Sequence, residues 1–184
     1  MDGPLRTERL LLRPLLPEDA DALERLAGDR VIADTMISVP HPFTRRDALD
    51  WITAYGDGAR DGHHRYFATC LGTTGELVGI AALRDIDEEH AQAELSFWVG
   101  LPYWGRGFAS EAAGAALQYA FEVLGLNRVT AFHMLRNPAS GRVLTRLGFR
   151  REGVLRQRVR KWGVFEDVAA YAVLREEYCG ARRW

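Results

Sequence analysis

The chain has 184 residues, of which 47% are hydrophobic and 27% charged, a composition typical of a globular protein with a buried core. The length suits one domain, expected over 1–184, and no apolar run approaches the roughly 18–20 residues that a membrane span needs. The first residues combine charges with proline, so we expect neither a signal peptide nor a transit peptide, and the two cysteines set no disulfide framework. We therefore expect a cytoplasmic protein without a membrane partner.

The net charge is only −1, but charge is distributed unevenly along the chain. Residues 1–94 include 18 acidic and 10 basic residues, whereas residues 95–184 include 7 acidic and 14 basic ones. The basic half can pair with the acidic half at the surface, or it can attract an anionic ligand. No stacking aromatic residues and no groove-binding helix accompany the basic residues, so we expect no nucleic-acid partner.

Hydrophobic periods typical of strands and of helices alternate along the chain. Strands are predicted at 7–15, 65–72, 75–85, 91–100, 128–134, 150–159 and 165–178. Helices are predicted at 16–28, 44–55, 106–124 and 137–149, and 29–43, which contains two prolines, is predicted to be a loop. This order predicts an α+β (mixed α/β) fold in which helices pack on both faces of one sheet.

A glycine-containing turn leads into the helix predicted at 106–124. Gly105 and Gly107 lie where the first N–H groups of the helix lack partners and where the helix dipole is positive, which together form an anion site. A Walker loop would need a Lys-Ser/Thr pair where Phe108 and Ala109 stand, and a dinucleotide-binding motif would need glycine in place of Ser110. Neither of these phosphate-binding motifs fits, which disfavours a nucleotide-phosphate enzyme.

At this turn, "WGRGFA" (104–109) resembles the coenzyme A pyrophosphate loop of the GCN5-related N-acetyltransferase (GNAT) family. More narrowly, "AELSFWVGLPYWGRGFASEA" followed by "NPASGRVLTRLGF" resembles the ribosomal-protein N-terminal acetyltransferase (RimJ/RimL-like) branch. The resemblance covers about residues 7–175, with Trp104 standing where the family pattern has Gln or Arg. It implies the GNAT fold, with a twisted, mostly antiparallel sheet of six to seven strands. The sheet would be splayed between its fourth and fifth strands and flanked by about four helices.

The resemblance implies acetyl-CoA as the cosubstrate, no metal, and an amine as the acceptor. Backbone amides of the loop would bind the pyrophosphate, Asn137 would bind the pantetheine arm, and an amide near Val99 would polarise the acetyl carbonyl. Arg142 and Arg146 can reach the phosphates of the nucleotide end. The predicted contacts with acetyl-CoA are therefore Trp98, Val99, Trp104, Gly105, Arg106, Gly107, Phe108, Ala109, Ser110, Asn137 and Arg142.

Acetyl transfer requires a neutral amine, a donor to the oxyanion and a proton for the leaving thiolate. Glu94 is the candidate base, because it lies on the strand that ends at the loop and the resemblance places a glutamate there. Its structural alternative is a salt-bridged carboxylate. No tyrosine stands in the helix at 137–149, where many family members have one. Ser140, which the branch resemblance suggests, and Tyr103 are therefore the candidate acids, although the first can simply cap a helix and the second can pack on the loop.

The acceptor is the least constrained part of the function. The branch resemblance favours the α-amine of a protein N-terminus, attacked directly in a ternary complex. A polyamine, an amino sugar or an antibiotic, or a non-catalytic CoA-binding module, are the alternatives. His41 and Trp98 are candidate acceptor contacts, in a pocket expected to form from 29–43 and 155–166, whereas His133 is expected to be a buried, satisfied histidine. The apolar C-terminal strands suit either a core face or a homodimer seam.

Overall fold

The computed structural model of the chain describes residues 3–60 and 62–178, without the side chains of residues 57–60. The strands in this part are β1 (Leu5–Arg6), β2 (Leu10–Arg13), β3 (Arg65–Leu71), β4 (Leu77–Asp87), β5 (Gln92–Val99), β6 (Arg128–Met134), β7 (Arg150–Lys161) and β8 (Val164–Leu174). The helices in this part are α1 (Ala20–Ala27), α2 (Arg30–Thr35), α3 (Arg45–Arg60), α4 (Phe108–Glu122) and α5 (Pro138–Arg146). None of these helices is long and apolar enough to cross a membrane.

One sheet contains all of these strands, in the order β1-β2-β3-β4-β5-β6-β8-β7. Neighbouring strands are antiparallel except β5 and β6, which are parallel and pair at only three positions, 92–94 with 128–130. Beyond Glu94 and Thr130 the two strands separate toward their C-terminal ends. The predicted sheet, mostly antiparallel and splayed between 91–100 and 128–134, is confirmed, with one strand more than the expected six to seven.

The helices cover both faces of the sheet. Tyr66 and Phe67 are neighbours on β3, and neighbouring side chains on a strand point to opposite faces. Tyr66 stacks on Tyr55 of α3, with ring centroids 3.6 Å apart, whereas Phe67 contacts Tyr119 of α4 edge-on at 5.5 Å. Helices α3 and α4 therefore lie on opposite faces, as predicted, and the apolar side chains between each helix and the sheet form the core.

Two segments differ from the sequence predictions. The predicted loop at 29–43 contains α2, whose first turn is capped by Asp29: Oδ1 accepts from the Val31 N–H at 2.9 Å, and Ile32 is buried. A six-residue helix is too short to show a clear helical period. The strand predicted at 7–15 is instead the hairpin of β1 and β2, in which Thr7 Oγ1 accepts from the Leu10 N–H at 2.9 Å.

Candidate active site

The turn before α4 exposes uncapped backbone amides. Gly105 and Gly107 have φ values of 75° and 81°, a left-handed conformation that glycine adopts without a Cβ penalty. Gly107 occupies the N-cap position, and no side chain caps the helix. The first intrahelical bond joins the Glu111 N–H to the Gly107 carbonyl oxygen at 3.1 Å, so the amides of residues 108–110 precede it. These amides and the positive end of the helix dipole fit an anionic group such as a pyrophosphate.

An ion pair between a half-exposed arginine and a buried carboxylate supports this turn. Glu111, in the first turn of α4 and 2% exposed, accepts from Thr7 Oγ1 at 2.6 Å and from the Arg9 N–H at 2.9 Å. The guanidinium of Arg9 donates to the same carboxylate through Nε at 2.7 Å and Nη2 at 2.6 Å. Its Nη1 reaches the Arg106 carbonyl oxygen at 2.9 Å, and the group lies over the Phe108 ring. We call this Arg9–Glu111 pair the brace; sequence reasoning missed it, because the two residues are 102 positions apart in the chain.

A cavity of about 470 Å³ lies between the end of β5, the glycine turn and α5. Twelve of the predicted functional residues line it: Trp98, Val99, Tyr103, Trp104, Gly105, Gly107, Phe108, Ala109, Ser110, Asn137, Ser140 and Arg142. Arg146 lines it too, together with side chains that the sequence analysis did not assign: Ile32, Thr35, Met36, Phe97, Ala139 and Val143. Arg106 is outside the lining; its guanidinium lies over the Tyr103 ring and its carbonyl is bound by the brace.

The separation of β5 from β6 opens a backbone edge toward this cavity. The Gly100 N–H donates to the Val78 carbonyl oxygen at 2.9 Å, so the backbone groups of residue 100, and of residue 98 before it, face β4. The backbone groups of Phe97 and Val99 consequently face the gap that β6 has left. The Val99 carbonyl oxygen accepts from the Trp104 indole at 2.6 Å. The Val99 N–H therefore faces this gap, so its role as the polarising amide stays a prediction.

A smaller cavity of about 70 Å³ adjoins the first. The two share four lining residues: Thr35, Met36, Phe97 and Ser140. Glu94 lines the smaller cavity and forms an ion pair with Arg84, which lies directly opposite on β4. Burial alone would lower the pKa of Arg84, but the Glu94 carboxylate more than offsets this effect and the pKa is raised. Glu94 is therefore salt-bridged, as expected for a structural carboxylate. It also lines the cavity, where a general base would have to lie.

The candidate acids have different surroundings. Ser140 lines both cavities, and its Oγ accepts from Asn137 Nδ2 at 3.0 Å. The Tyr103 hydroxyl instead donates to Glu76 Oε1 at 2.5 Å; burial and this bond raise the pKa of Tyr103. Asn137 stands at the N-cap of α5, where its side chain makes no capping bond and its amide nitrogen donates to Ser140 instead. His41 is exposed and lines neither cavity.

His133 was expected to be buried and fully hydrogen-bonded; the first part is confirmed and the second is wrong. It is buried, and its Nδ1 lies 2.9 Å from the Met134 carbonyl oxygen. Its Nε2, however, is buried without a hydrogen-bond partner among the described residues. A Cβ on Gly141 would lie 2.7 Å from this nitrogen, so glycine is what lets α5 approach β6 here. No group of three potential metal-ligating side chains occurs among residues 3–60 and 62–178 as described.

Comparisons with known proteins agree with this geometry. A family model described as an acetyltransferase (GNAT) domain matches residues 9–150. The uncharacterized N-acetyltransferase p20 of Bacillus licheniformis is 35% identical over 176 residues, covering 96% of this chain and 98% of the relative. The solved structure of Mycobacterium smegmatis RimJ in complex with CoA-disulfide has a TM-score of 0.85 and 26% identity, covering 95% of this chain and 87% of that one.

A second solved structure is similar over most of the chain. Vibrio cholerae spermidine N-acetyltransferase in complex with CoA and spermine has a TM-score of 0.80 and 26% identity, covering 92% of this chain and 97% of that one. The matched domain contains the glycine turn, α4 and the separated strands β5 and β6, where the cavity and the uncapped amides lie. The chain therefore belongs to the GNAT family and is an acetyl-CoA-dependent N-acetyltransferase.

Proposed function

We propose that this enzyme acetylates the α-amine of a protein N-terminus by direct attack of the amine on acetyl-CoA in a ternary complex. The single observation that carries the choice of acceptor is the charge of the two cavities. Glu94 is the one acidic residue among their lining residues, and Arg84 already pairs with it. The other charged lining residues, apart from His133, are Arg142 and Arg146. The similarity to RimJ supports the same choice.

This charge disfavours a polyamine. A polyamine carries several positive charges, and each needs an opposite charge or an equivalent set of acceptors when it leaves water. A single α-amine needs only one such partner, and its pKa near 8 means that a modest base or a water relay neutralises it. The negative charge of residues 1–94 lies mostly outside the two cavities, so it offers little to a cation bound within them.

The proposed reaction assigns one role to each group around the cavities. Acetyl-CoA would lie with its pyrophosphate on the amides of residues 108–110 and its thioester at the opened edge of β5, where the Val99 N–H donates to the carbonyl oxygen. The amine nitrogen bonds to the acetyl carbon, the C–S bond breaks, and Glu94 takes the amine proton directly or through water. Ser140 passes its hydroxyl proton to the thiolate and regains one from the protonated Glu94 through water, so both side chains return to their starting states. Because its Oγ already accepts from Asn137, the hydroxyl hydrogen points elsewhere.

The acceptor is tested by measuring thiol release with a panel of amines at fixed acetyl-CoA. We expect peptides with a free α-amine to be turned over and the same peptides with a blocked N-terminus to be inert. Spermidine and an amino sugar provide the competing acceptors. A kcat/KM for either that exceeds the best peptide by about tenfold would overturn the proposed acceptor. No thiol release with any amine would favour the non-catalytic alternative.

The role of Glu94 is tested by the pH dependence of Glu94→Gln. A missing base matters less once the amine is already deprotonated, so the loss in kcat/KM should shrink as the pH rises above the amine pKa. A loss that is constant with pH would assign Glu94 to structure, through its pair with Arg84. Ser140→Ala should lower kcat by about tenfold or more with little change in the KM for acetyl-CoA.

A further inference from the structure

The tip of the β7–β8 hairpin contacts Asp34 and Val39, which stand on either side of a segment that lines the cavities. The turn residues Trp162 and Gly163 have φ values of 50° and 83°, which fits a tight two-residue hairpin turn. Lys161, at the end of β7, is 7% exposed, and its Nζ donates to the Val39 carbonyl oxygen at 2.6 Å. Trp162 donates from its indole nitrogen to Asp34 Oδ1 at 2.5 Å. The Lys161 ammonium lies 4.5 Å from the centroid of the Trp162 ring, so the two donors form one unit.

The two acceptors of these bonds bracket the cavity wall. Asp34 and Val39 stand immediately before and after residues 35–38, all of which line the smaller cavity. Thr35 and Met36 also line the larger one. From the other side, Asn137 Nδ2 lies 3.5 Å from the Thr35 carbonyl oxygen. The segment 34–39 is thus fixed at both ends by the hairpin tip and touched at its start by a residue predicted to bind acetyl-CoA.

We propose that Lys161 and Trp162 are positioning residues that set the acceptor-binding wall at 35–38. This inference rests on the proposed function, in which the amine approaches from the side of the smaller cavity. Neither side chain lines a cavity, so each acts through the segment that it fixes. The cosubstrate loop lies on a different part of the chain and is held by the brace, so fixing the wall affects the binding of the acceptor more than that of acetyl-CoA.

Three variants and one control test this inference. Trp162→Phe keeps an aromatic ring beside Lys161 and removes the donor to Asp34. Asp34→Leu removes the acceptor of the same bond, whereas Asp34→Asn keeps a side-chain oxygen there and should restore wild-type behaviour. Val164→Thr, at a residue that is 62% exposed next to the turn, is the control for changes in the hairpin itself.

We expect Trp162→Phe and Asp34→Leu to raise the KM for the amine about fivefold, the effect of losing one hydrogen bond, and to change the KM for acetyl-CoA less than about twofold. Hydrogen–deuterium exchange should become faster in peptides spanning 30–39 and stay unchanged in those spanning 105–115. Equal rises in both KM values, unchanged exchange at 30–39, or an Asp34→Asn variant as impaired as Asp34→Leu would overturn the inference.

The exchange measurement separates this inference from the proposed function. It needs no acceptor, so it reports on the wall even if the preferred amine is not an N-terminus, and the kinetics are then measured with the amine that the panel identifies. If Trp162→Phe does not fold, Asp34→Leu and Asp34→Asn still decide the outcome. The two side chains are similar in size and uncharged, and only asparagine presents an acceptor to Trp162.

Discussion

Replacing Glu111 by glutamine tests the brace behind the pyrophosphate loop. The substitution keeps the shape of the side chain but removes its charge and turns one of its oxygens into an NH₂ group. In the protein, this carboxylate accepts from Thr7 Oγ1 and from three nitrogens of Arg9. A glutamine amide can satisfy Thr7 and the Arg9 backbone, but its NH₂ group would then face the guanidinium, donor against donor.

The expected loss follows from the burial of the two partners. Hydrogen bonds to charged groups contribute about 1.5–3 kcal/mol each, and Arg9 makes two of them to Glu111 through its side chain. Because the Arg9 side chain is 46% exposed whereas Glu111 is 2% exposed, water compensates Arg9 for part of this loss. We therefore expect the free energy of unfolding to fall by about 2–3 kcal/mol, which lowers the Tm of a protein of this size by about 4–12 °C.

Urea unfolding and thermal unfolding of Glu111→Gln measure this loss directly. Glu122→Gln is the matched control, because Glu122 lies at the other end of α4, is exposed and accepts a bond from Gln118 of the same helix. Its effect should stay within about 0.5 kcal/mol. A free energy of unfolding for Glu111→Gln that is equally close to wild type would show that the brace contributes little. The KM for acetyl-CoA should rise as well, since the Arg106 carbonyl loses a fixed partner.

Three further outcomes are expected. Gly107→Ala should cost about 1–2 kcal/mol of stability and raise the KM for acetyl-CoA, whereas Gly163→Ala, at a similar φ in the hairpin turn, should cost the same with an unchanged KM. Burial opposes ionisation of Asp19, but its paired bonds from Arg13 at 2.7 and 2.8 Å prevail and the pKa of Asp19 is lowered. The stability that ionised Asp19 contributes is present above its unfolded pKa near 4 and is lost as the pH falls through its lowered folded pKa. The free energy of unfolding of Asp19→Asn, measured in urea, should therefore vary less with pH below about 5 than that of the wild type. Trp104→Phe removes the donor to the end of β5 and should raise the KM for acetyl-CoA a few-fold in steady-state kinetics, with the Tm within about 2 °C of wild type.

The sequence predicted those parts of the site whose conformation depends on residues adjacent in the chain. Gly105 and Gly107 mark a turn that only glycine adopts easily, and the helix follows one residue later. The resemblance carried the prediction further, to Asn137 and Ser140, which the structure brings to the same cavity as the turn. The short helix α2 was missed, although Asp29 offered a capping signal.

The parts that were missed depend on contacts between distant residues. Glu111 meets Arg9 across more than one hundred positions, and Lys161 meets Val39 across a similar distance. Nothing near Lys161 in the sequence indicates burial, since it ends a strand rich in exposed arginines. Such contacts arise from the order of strands in the sheet, which a local pattern does not determine.

The short pairing between β5 and β6 has a mechanical consequence. In the described part of the chain, the β1–β5 and β6–β8 parts of the sheet are joined by three paired positions and by the N–H groups of Asn127 and Arg128, which donate to the Ala91 carbonyl oxygen. The cavities open where this short pairing ends. A small rotation of one part against the other would widen or narrow the gap while disturbing few backbone hydrogen bonds. We therefore expect the sheet to deform more easily along the line of the two cavities than within the extended antiparallel ladders on either side.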